Sequence, residues 1–199
     1  IWDRHGRLTQ PYGLASPRIR GGATDQEIWE GFVEVMGGRV GISEGNDAGD
    51  CPEVPEGSSL RDVLAGMIRD HFEAENGVDL SRFDTTAMMT MEQYNLFPNI
   101  TVLFFGDLLQ VVRARPGATP DEGYMDIMAF DRVAPDAPRV DPATAEVAPG
   151  SYSMGLVIDQ DVTNLERAQK GLHAPSLTHL TLSGEECRII NLHRNLDRV

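Results

Sequence analysis

The sequence lacks any run of apolar residues long enough to cross a membrane. A spanning helix needs roughly 18 such residues, and the apolar stretches of this chain are shorter and interrupted by polar side chains. It also lacks a positively charged start followed by an apolar segment, the pattern of a secretory signal. The sequence therefore predicts a cytoplasmic protein that does not enter a membrane.

Basic residues and cysteines are scarce. Lys and Arg total 17 against 31 Asp and Glu, so the formal net charge is -14. Nucleic acid and anionic lipid surfaces would repel such a chain, whereas small neutral ligands or basic partners would not. The two cysteines, Cys51 and Cys187, have no metal-binding or redox spacing and are predicted to be reduced structural thiols.

What is present is typical of one globular domain, with 199 residues of which 41% are hydrophobic. A first helix is predicted after the N-cap Thr24, with Glu27 at the capping-box position, and a second helix is predicted to end at Gly77. Residues 88–133 read as three or four strands whose connections are too short for crossover helices. Two more helical segments follow. The pattern predicts an α+β fold in which a curved antiparallel sheet wraps around a long helix, a helix-grip arrangement.

A proline interrupts one of the most apolar stretches, "QYNLFPNITVLFF". Proline cannot donate a backbone hydrogen bond, so in a sheet it belongs at an edge, at a first position or at a bulge. We therefore expect the chain to bend or break at Pro98, next to a pocket.

A carboxylate lies on the apolar stripe of the first of the two later helices. Asp161 shares its helical face with Leu165, Ala168 and Leu172, which predicts that it points toward the core. A buried carboxylate needs a cation, a metal ion or good hydrogen-bond donors. One interpretation is that Asp161, or Asp159 before it, is a helix N-cap. The other is a metal ligand or catalytic carboxylate at the wall of a cavity.

Three blocks together carry a family resemblance: "QYNLFPN", "VVRARPGATPDEGYMDIMAF" and "DQDVTNLERAQKGL". They resemble the catalytic domain of the large (alpha) subunit of Rieske non-haem iron ring-hydroxylating oxygenases, well over residues 88–199 and loosely over residues 1–87. In that family an acid eight residues before a Gln-(Lys/Arg)-Gly-Leu stretch is the carboxylate of a 2-His-1-carboxylate iron site. That position falls on Asp161, and the resemblance implies a supporting hydrogen-bonding role for Asn164.

The resemblance also implies a substrate pocket. The family's Phe-Pro-Asn strand lines the substrate cavity, so Pro98 would interrupt the ladder where the sheet bends around a substrate tunnel. The residues that this implies for the pocket wall are Gln93, Asn95, Phe97, Asn99 and Phe104.

Two parts of the family pattern are missing from these residues. The histidines at positions 5, 71, 173, 179 and 193 include no pair four or five apart, whereas the family's iron histidines lie in a His-x4-His-like segment. The paired Cys-x-His and Cys-x2-His ligands of a Rieske cluster are absent as well. We therefore expect residues 1–199 to be a single catalytic domain, the C-terminal part of a longer chain. The [2Fe-2S] Rieske domain and the iron histidines would lie upstream, and this part alone would be inactive. The alternatives are a homologue that lacks iron and a site formed within this chain by Asp161, His173 and His179.

The function implied by the resemblance is an oxidoreductase of aromatic hydrocarbon catabolism. It would insert oxygen from O2 into an aromatic or other apolar substrate at a mononuclear Fe(II) ion, as a dioxygenase or a monooxygenase. Its partners would be a ferredoxin or reductase electron donor and either further copies of itself, as a homotrimer, or a small second subunit. The alternative from another class is a non-catalytic helix-grip domain that binds a hydrophobic small molecule, with Asp161 as a cap.

Overall fold

The computed structural model describes residues 2–15, 21–42, 47–148 and 150–199. It contains five strands and five α-helices in an α+β arrangement, with short 3₁₀ helices at Gly37–Val40 and Gly184–Glu186. In chain order the elements are β1 (Gly6–Pro11), α1 (Asp25–Met36), α2 (Leu60–Asn76), α3 (Thr85–Met88), β2 (Thr90–Leu96), β3 (Ile100–Phe104), β4 (Leu108–Pro116), β5 (Gly123–Asp131), α4 (Leu156–Leu172) and α5 (Cys187–Leu196).

The first two long helices begin and end at the residues that the sequence indicates. Thr24 Oγ1 accepts a hydrogen bond from the Glu27 backbone N–H, and the Glu27 carboxylate accepts one from the Thr24 backbone N–H, which closes the predicted capping box. Helix α2 has the same reciprocal arrangement between Ser59 and Asp62. It ends at Gly77, whose φ of 62° is the left-handed conformation that glycine adopts without strain.

The five strands form one antiparallel sheet in the order β1-β2-β3-β4-β5, which confirms the antiparallel prediction. Strands β2 and β3 are joined by the turn Phe97-Pro98-Asn99, and β4 and β5 by residues 117–122. Pro98 therefore lies in a hairpin turn between two strands, where its missing N–H costs the ladder nothing. Of the predicted bend or break at Pro98, the structure shows a break between strands, and a pocket beside it stays a prediction.

The hydrophobic core lies among the helices at one end of the sheet. Leu64 and Ile68 of α2 and Met88 of α3 are fully buried, and they pack in one cluster with Trp29 and Phe32 of α1. The sheet contributes little to this core. Of the described residues after Met91, only Gly106, Asp107 and Asn195 are buried.

A buried ion pair joins the helical core to the sheet. Arg39, in the 3₁₀ helix after α1, donates through Nε to the carboxylate of Asp107 at 2.8 Å and through Nη2 to the Met88 carbonyl at 3.0 Å. The guanidinium lies over the ring of Phe105, 4.9 Å from its centroid. Both charged side chains are almost fully buried, at 6% and 0% exposure. The β3–β4 turn is therefore held to the helical part by the Asp107 carboxylate and by the Phe105 ring beneath the same guanidinium.

The last two helices pack at the periphery. Helix α5 lies against β1, where the Arg188 side chain donates to the Arg7 carbonyl at 2.7 Å and Asn191 donates to the Asp3 carbonyl at 3.0 Å. Helix α4 has no buried residue. A sheet wrapped around a long helix is therefore not confirmed. No helix within residues 2–15, 21–42, 47–148 and 150–199 is both long and apolar enough to cross a membrane.

Candidate functional site

The two faces of the sheet differ in chemistry. Side chains of a strand point alternately to opposite faces, and the ladder register therefore assigns each residue to a face. One face, which we call the amide face, carries uncharged polar and aliphatic side chains: Leu8, Gln93, Asn95, Thr101, Leu103 and Gln110. The other, which we call the aromatic face, carries aromatic side chains and ion pairs: Arg7, Glu92, Tyr94, Phe104, Arg113 and Asp126.

A small hydrogen-bond network lies on the amide face. The Oδ1 atom of Asn95 accepts from Gln93 Nε2 at 3.1 Å and from Thr101 Oγ1 at 3.0 Å. All three side chains are half-buried. The six side chains that define this face are uncharged, whereas Asp131 lies on the same face at the β5 edge, because it pairs with Leu108 in the ladder. The part of the face around Asn95 therefore fits a neutral ligand better than a charged one.

The aromatic face is crossed by ion pairs. Tyr94 packs edge-on against Phe104, with ring centroids 5.7 Å apart. Arg7 donates to Glu92 at 2.6 Å, and this hydrogen bond lowers the pKa of the Glu92 carboxyl. Phe104 therefore points away from Gln93 and Asn95. The expectation that Phe104 shares a pocket wall with those two residues is wrong in this structure, because Phe104 pairs with Glu92 in the ladder and so belongs to the opposite face.

Phe97 and Asn99 flank Pro98 in the β2–β3 turn. The Phe97 N–H donates to His5 Nδ1 at 3.1 Å. Asn99 is bonded twice to Ala114 of β4, because its side chain donates to the Ala114 carbonyl at 2.7 Å and its own carbonyl accepts the Ala114 N–H at 3.0 Å. Of the predicted pocket residues, the structure brings Gln93 and Asn95 together, places Phe97 and Asn99 in the turn, and separates Phe104.

Asp161 lies in the middle of α4 and is exposed to solvent. Leu165 and Leu172, on the same helical face, are also exposed, at 55% and 50%. The expectation that this stripe points to the core is wrong in this structure, because α4 lies beside α1 across an open cleft and does not cover the sheet. Within the described part of the chain, no hydrogen bond or ion pair occupies the Asp161 carboxylate.

Asp159 lies in the first turn of α4. Its carboxylate accepts from the Met154 backbone N–H at 3.0 Å and from Ser153 Oγ at 2.7 Å, both in the segment before the helix. These two hydrogen bonds, the backbone one foremost, lower the pKa of the Asp159 carboxyl. The N-cap is Gly155, and both acids lie inside the helix, so the interpretation of either as the N-cap is wrong in this structure. The two carboxylates that the sequence left as alternatives are therefore distinguished by their contacts.

Asn164, the residue predicted to support Asp161, lines the cleft between α1 and α4. The cleft has a volume of about 1090 Å³ and an acidic wall that includes Glu30 and Glu34 of α1. Asp161 does not line it. The structure therefore places these two side chains of α4 in different surroundings.

The described residues do not form a complete iron site. No group of three or more His, Cys, Asp or Glu side chains among them is arranged to hold a metal ion. Asp161 is a single oxygen donor on an exposed helix, whereas stable iron sites of this type need three protein ligands. The assignment of Asp161 as an iron ligand stays a prediction.

Comparison with protein families decides the identity of the domain. Residues 61–199 match the family described as "Ring hydroxylating alpha subunit (catalytic domain)". The chain belongs to this family. The matched segment runs from α2 to the chain end and includes β2–β5 and α4, so the resemblance predicted from three sequence blocks is confirmed. No curated protein and no solved structure matches the chain.

Membership of the ring-hydroxylating family makes the chain an oxidoreductase of the oxygenase type. It also favours this function over a non-catalytic module for hydrophobic ligands. The family binds mononuclear iron, in agreement with the metal class predicted from the resemblance.

Sequence reasoning missed Thr101 as a partner of Asn95, although a signal was present. Asn95 and Thr101 each lie three residues from Pro98, and a hairpin turn centred on Pro98 brings such residues opposite each other. It also missed the Arg39–Asp107 pair. No local pattern connects two residues so far apart in the sequence, so nothing in the sequence alone identifies that pair.

Proposed function

We propose that the chain is the catalytic domain of an oxygenase that inserts oxygen from O2 into an aromatic or other apolar substrate. The family match over residues 61–199 carries this proposal. The uncharged side chains around Asn95 on the amide face support it, because neutral substrates need a surface without unpaired charge. On this proposal Gln93 and Asn95 contact the substrate, with Phe97 and Asn99 at the turn end of the same strand pair. Phe104 faces away, so the proposal places no substrate contact there.

Asp161 is the proposed carboxylate ligand of a mononuclear Fe(II) ion. Two observations support this role: its carboxylate is exposed and unpaired among the residues that the structure describes, and the carboxylate of nearby Asp159 is already bonded to Ser153 and Met154. The other two ligands would be histidines of an upstream segment, which would also carry the [2Fe-2S] Rieske domain. Residues 1–199 would then be one catalytic domain, inactive alone. In the assembled site the sheet would wrap around α4, the helix-grip arrangement, with the contacts between the C-terminal end of α4 and Asp121 kept and with Asn164 hydrogen-bonded close to the metal.

The same proposal implies partners. Electrons would come from a ferredoxin or reductase, and the oxygenase would assemble as a homotrimer or with a small second subunit in the cytoplasm. Whether one or both oxygen atoms enter the product depends on substrate placement.

Replacement of Asp161 tests the iron assignment directly. In the full-length protein, Asp161→Ala should abolish iron at the mononuclear site and turnover while leaving the Rieske absorption spectrum unchanged, because the cluster has its own ligands. Metal analysis and the visible spectrum measure the two centres separately.

Glu166→Gln is the matched control, because Glu166 is an exposed acid on the same helix. It should retain iron and activity. Full mononuclear iron in the Asp161→Ala protein would contradict the assignment.

A further inference from the structure

The C-terminal end of α4 is attached to the sheet through one carboxylate. Asp121, in the turn between β4 and β5, accepts through Oδ1 from His173 Nε2 at 2.9 Å and from Gln169 Nε2 at 3.2 Å. His173 directly follows α4 as its C-cap residue. We call these three residues the α4 tether.

The turn that carries Asp121 is closed by its own hydrogen bonds. Gly117 donates to the Glu122 carbonyl at 3.0 Å, Glu122 donates to the Thr119 carbonyl at 3.1 Å, and the Ala118 N–H donates to the Glu122 carboxylate at 3.2 Å. A Cβ at Gly117 would come within 2.5 Å of Glu122 Cβ, so the two strands approach closely there. The turn itself therefore holds Asp121 in place. Loss of the tether would release the helix and leave the turn unchanged.

Packing does little to hold α4 in place. The helix buries no residue, and Leu165 at its middle is 55% exposed. Asp159 in its first turn bonds to Ser153 and Met154 of the preceding segment, whereas Gln169 in its last turn bonds to Asp121 of the β4–β5 turn. The polar contacts at the C-terminal end of the helix therefore join it to the sheet, and hydrophobic burial adds little.

We propose that Asp121, Gln169 and His173 are positioning residues that fix α4, and with it Asp161, relative to the sheet. The inference rests on the proposed function of Asp161. Gln169 lies eight residues from Asp161, about 12 Å along a helix that moves as one rigid rod. The tether also joins two of the three sequence blocks that carry the family resemblance, and it gives the glutamine of the Gln-Lys-Gly-Leu stretch a physical role.

The tether is expected to contribute little to folding stability, which fits a role in positioning α4. Asp121 and His173 are 61% and 59% exposed, and ion pairs between exposed groups contribute little stability. A neutral imidazole still donates from Nε2, so the hydrogen bond does not require a protonated histidine. Removal of the tether should therefore leave the protein folded and loosen only the helix.

Amide hydrogen exchange of the full-length protein tests this proposal. Asp121→Ala should speed exchange in the C-terminal half of α4 by about two- to fivefold, the factor expected for loss of an exposed pair. His173→Gln should behave like the wild type, because an amide keeps a donor at this position, whereas His173→Ala should behave like Asp121→Ala. The control is Asp141→Asn, which alters an exposed acid away from α4.

Steady-state kinetics supply the second measurement. With the tether broken, kcat should fall by about two- to fivefold while KM stays constant, because the metal-side carboxylate is displaced and the amide face is untouched. His173→Gln is expected to keep the wild-type kcat, whereas His173→Ala is expected to lower it.

Two results would overturn the proposal that the tether positions α4. One is an unchanged amide exchange rate of α4 in Asp121→Ala, and the other is a faster exchange rate with an unchanged kcat. Iron retained by Asp161→Ala would instead overturn the proposed function. Metal analysis detects that outcome independently of exchange, so the two failures are distinguishable.

Discussion

The helical end of the molecule and its sheet use their apolar residues in different ways. Helices α1, α2 and α3 supply most of the buried large apolar side chains, although Val35 of α1 is exposed, whereas the sheet leaves both faces half-open. Buried apolar area is the main source of folding stability, so most of that stability is concentrated at the helical end. The sheet keeps surface available for a ligand or for other parts of the protein. The comparison predicts that substitutions at the two ends have effects of different size.

The ion pair between the two ends should give the largest effect. Asp107→Ala leaves the Arg39 guanidinium buried without its counter-charge, which typically costs about 3–5 kcal/mol. Urea unfolding followed by circular dichroism would measure the loss.

Asp136→Ala, an exposed acid outside the strands, is the control and should change stability very little. The double variant Arg39→Met, Asp107→Leu should lose less than Asp107→Ala, since no charge is then left unpaired. Equal stability of Asp107→Ala and the control would show that the pair does not hold the sheet to the core.

Substitution of one leucine at the helical end and one in the sheet compares the stability contributions of the two regions directly. Leu64 is fully buried in α2, so Leu64→Ala should cost about 2–5 kcal/mol of unfolding free energy. Leu96 at the end of β2 is only half-buried, so Leu96→Ala should cost about 1 kcal/mol. The same unfolding experiment measures both. A loss at Leu96 as large as that at Leu64 would mean that the sheet is covered in solution.

The smallest effect is expected at the ion pairs of the aromatic face. Hydrogen bonds from Arg115, then from Arg113, lower the pKa of Asp126 from 3.8 to about 2. A carboxyl whose folded pKa is depressed contributes stability above its unfolded pKa, and that contribution is lost as the pH falls from 3.8 toward 2.

Asp126→Asn should therefore flatten the dependence of the melting temperature on pH in that window. Near neutral pH the melting temperature of the variant should differ from that of the wild type by only a small offset. Added salt should reduce the difference between the two proteins, since the pair is exposed. Identical pH profiles of variant and wild type at low salt would contradict the assigned pair.

Local signals in the sequence predicted local structure well. The caps at Thr24 and Gly77 depend on a few neighbouring residues, and the short connections between strands permit only antiparallel neighbours. The catalytic family was also predictable, because its blocks carry specific residues at fixed spacing.

The errors concern what surrounds each element. The periodicity of α4 indicates an apolar stripe but does not say what covers it, and in this structure Leu165 and Leu172 remain exposed. The run "NLFPNITVLFF" leaves a bend and a break at Pro98 as alternatives, and the structure shows a break between β2 and β3. An apolar run does not distinguish a continuous strand from two strands joined by a tight turn.

The turn at Pro98 determines which side chains share a face. Because strand side chains alternate, lengthening or shortening this turn by one residue would shift β3 against β2 and exchange its two faces. Phe104 would then stand beside Gln93 and Asn95, and Thr101 would join Tyr94. The length of the Phe97–Asn99 loop therefore determines which side chains the amide face presents: an insertion or deletion there would remodel that face more completely than any single substitution on it.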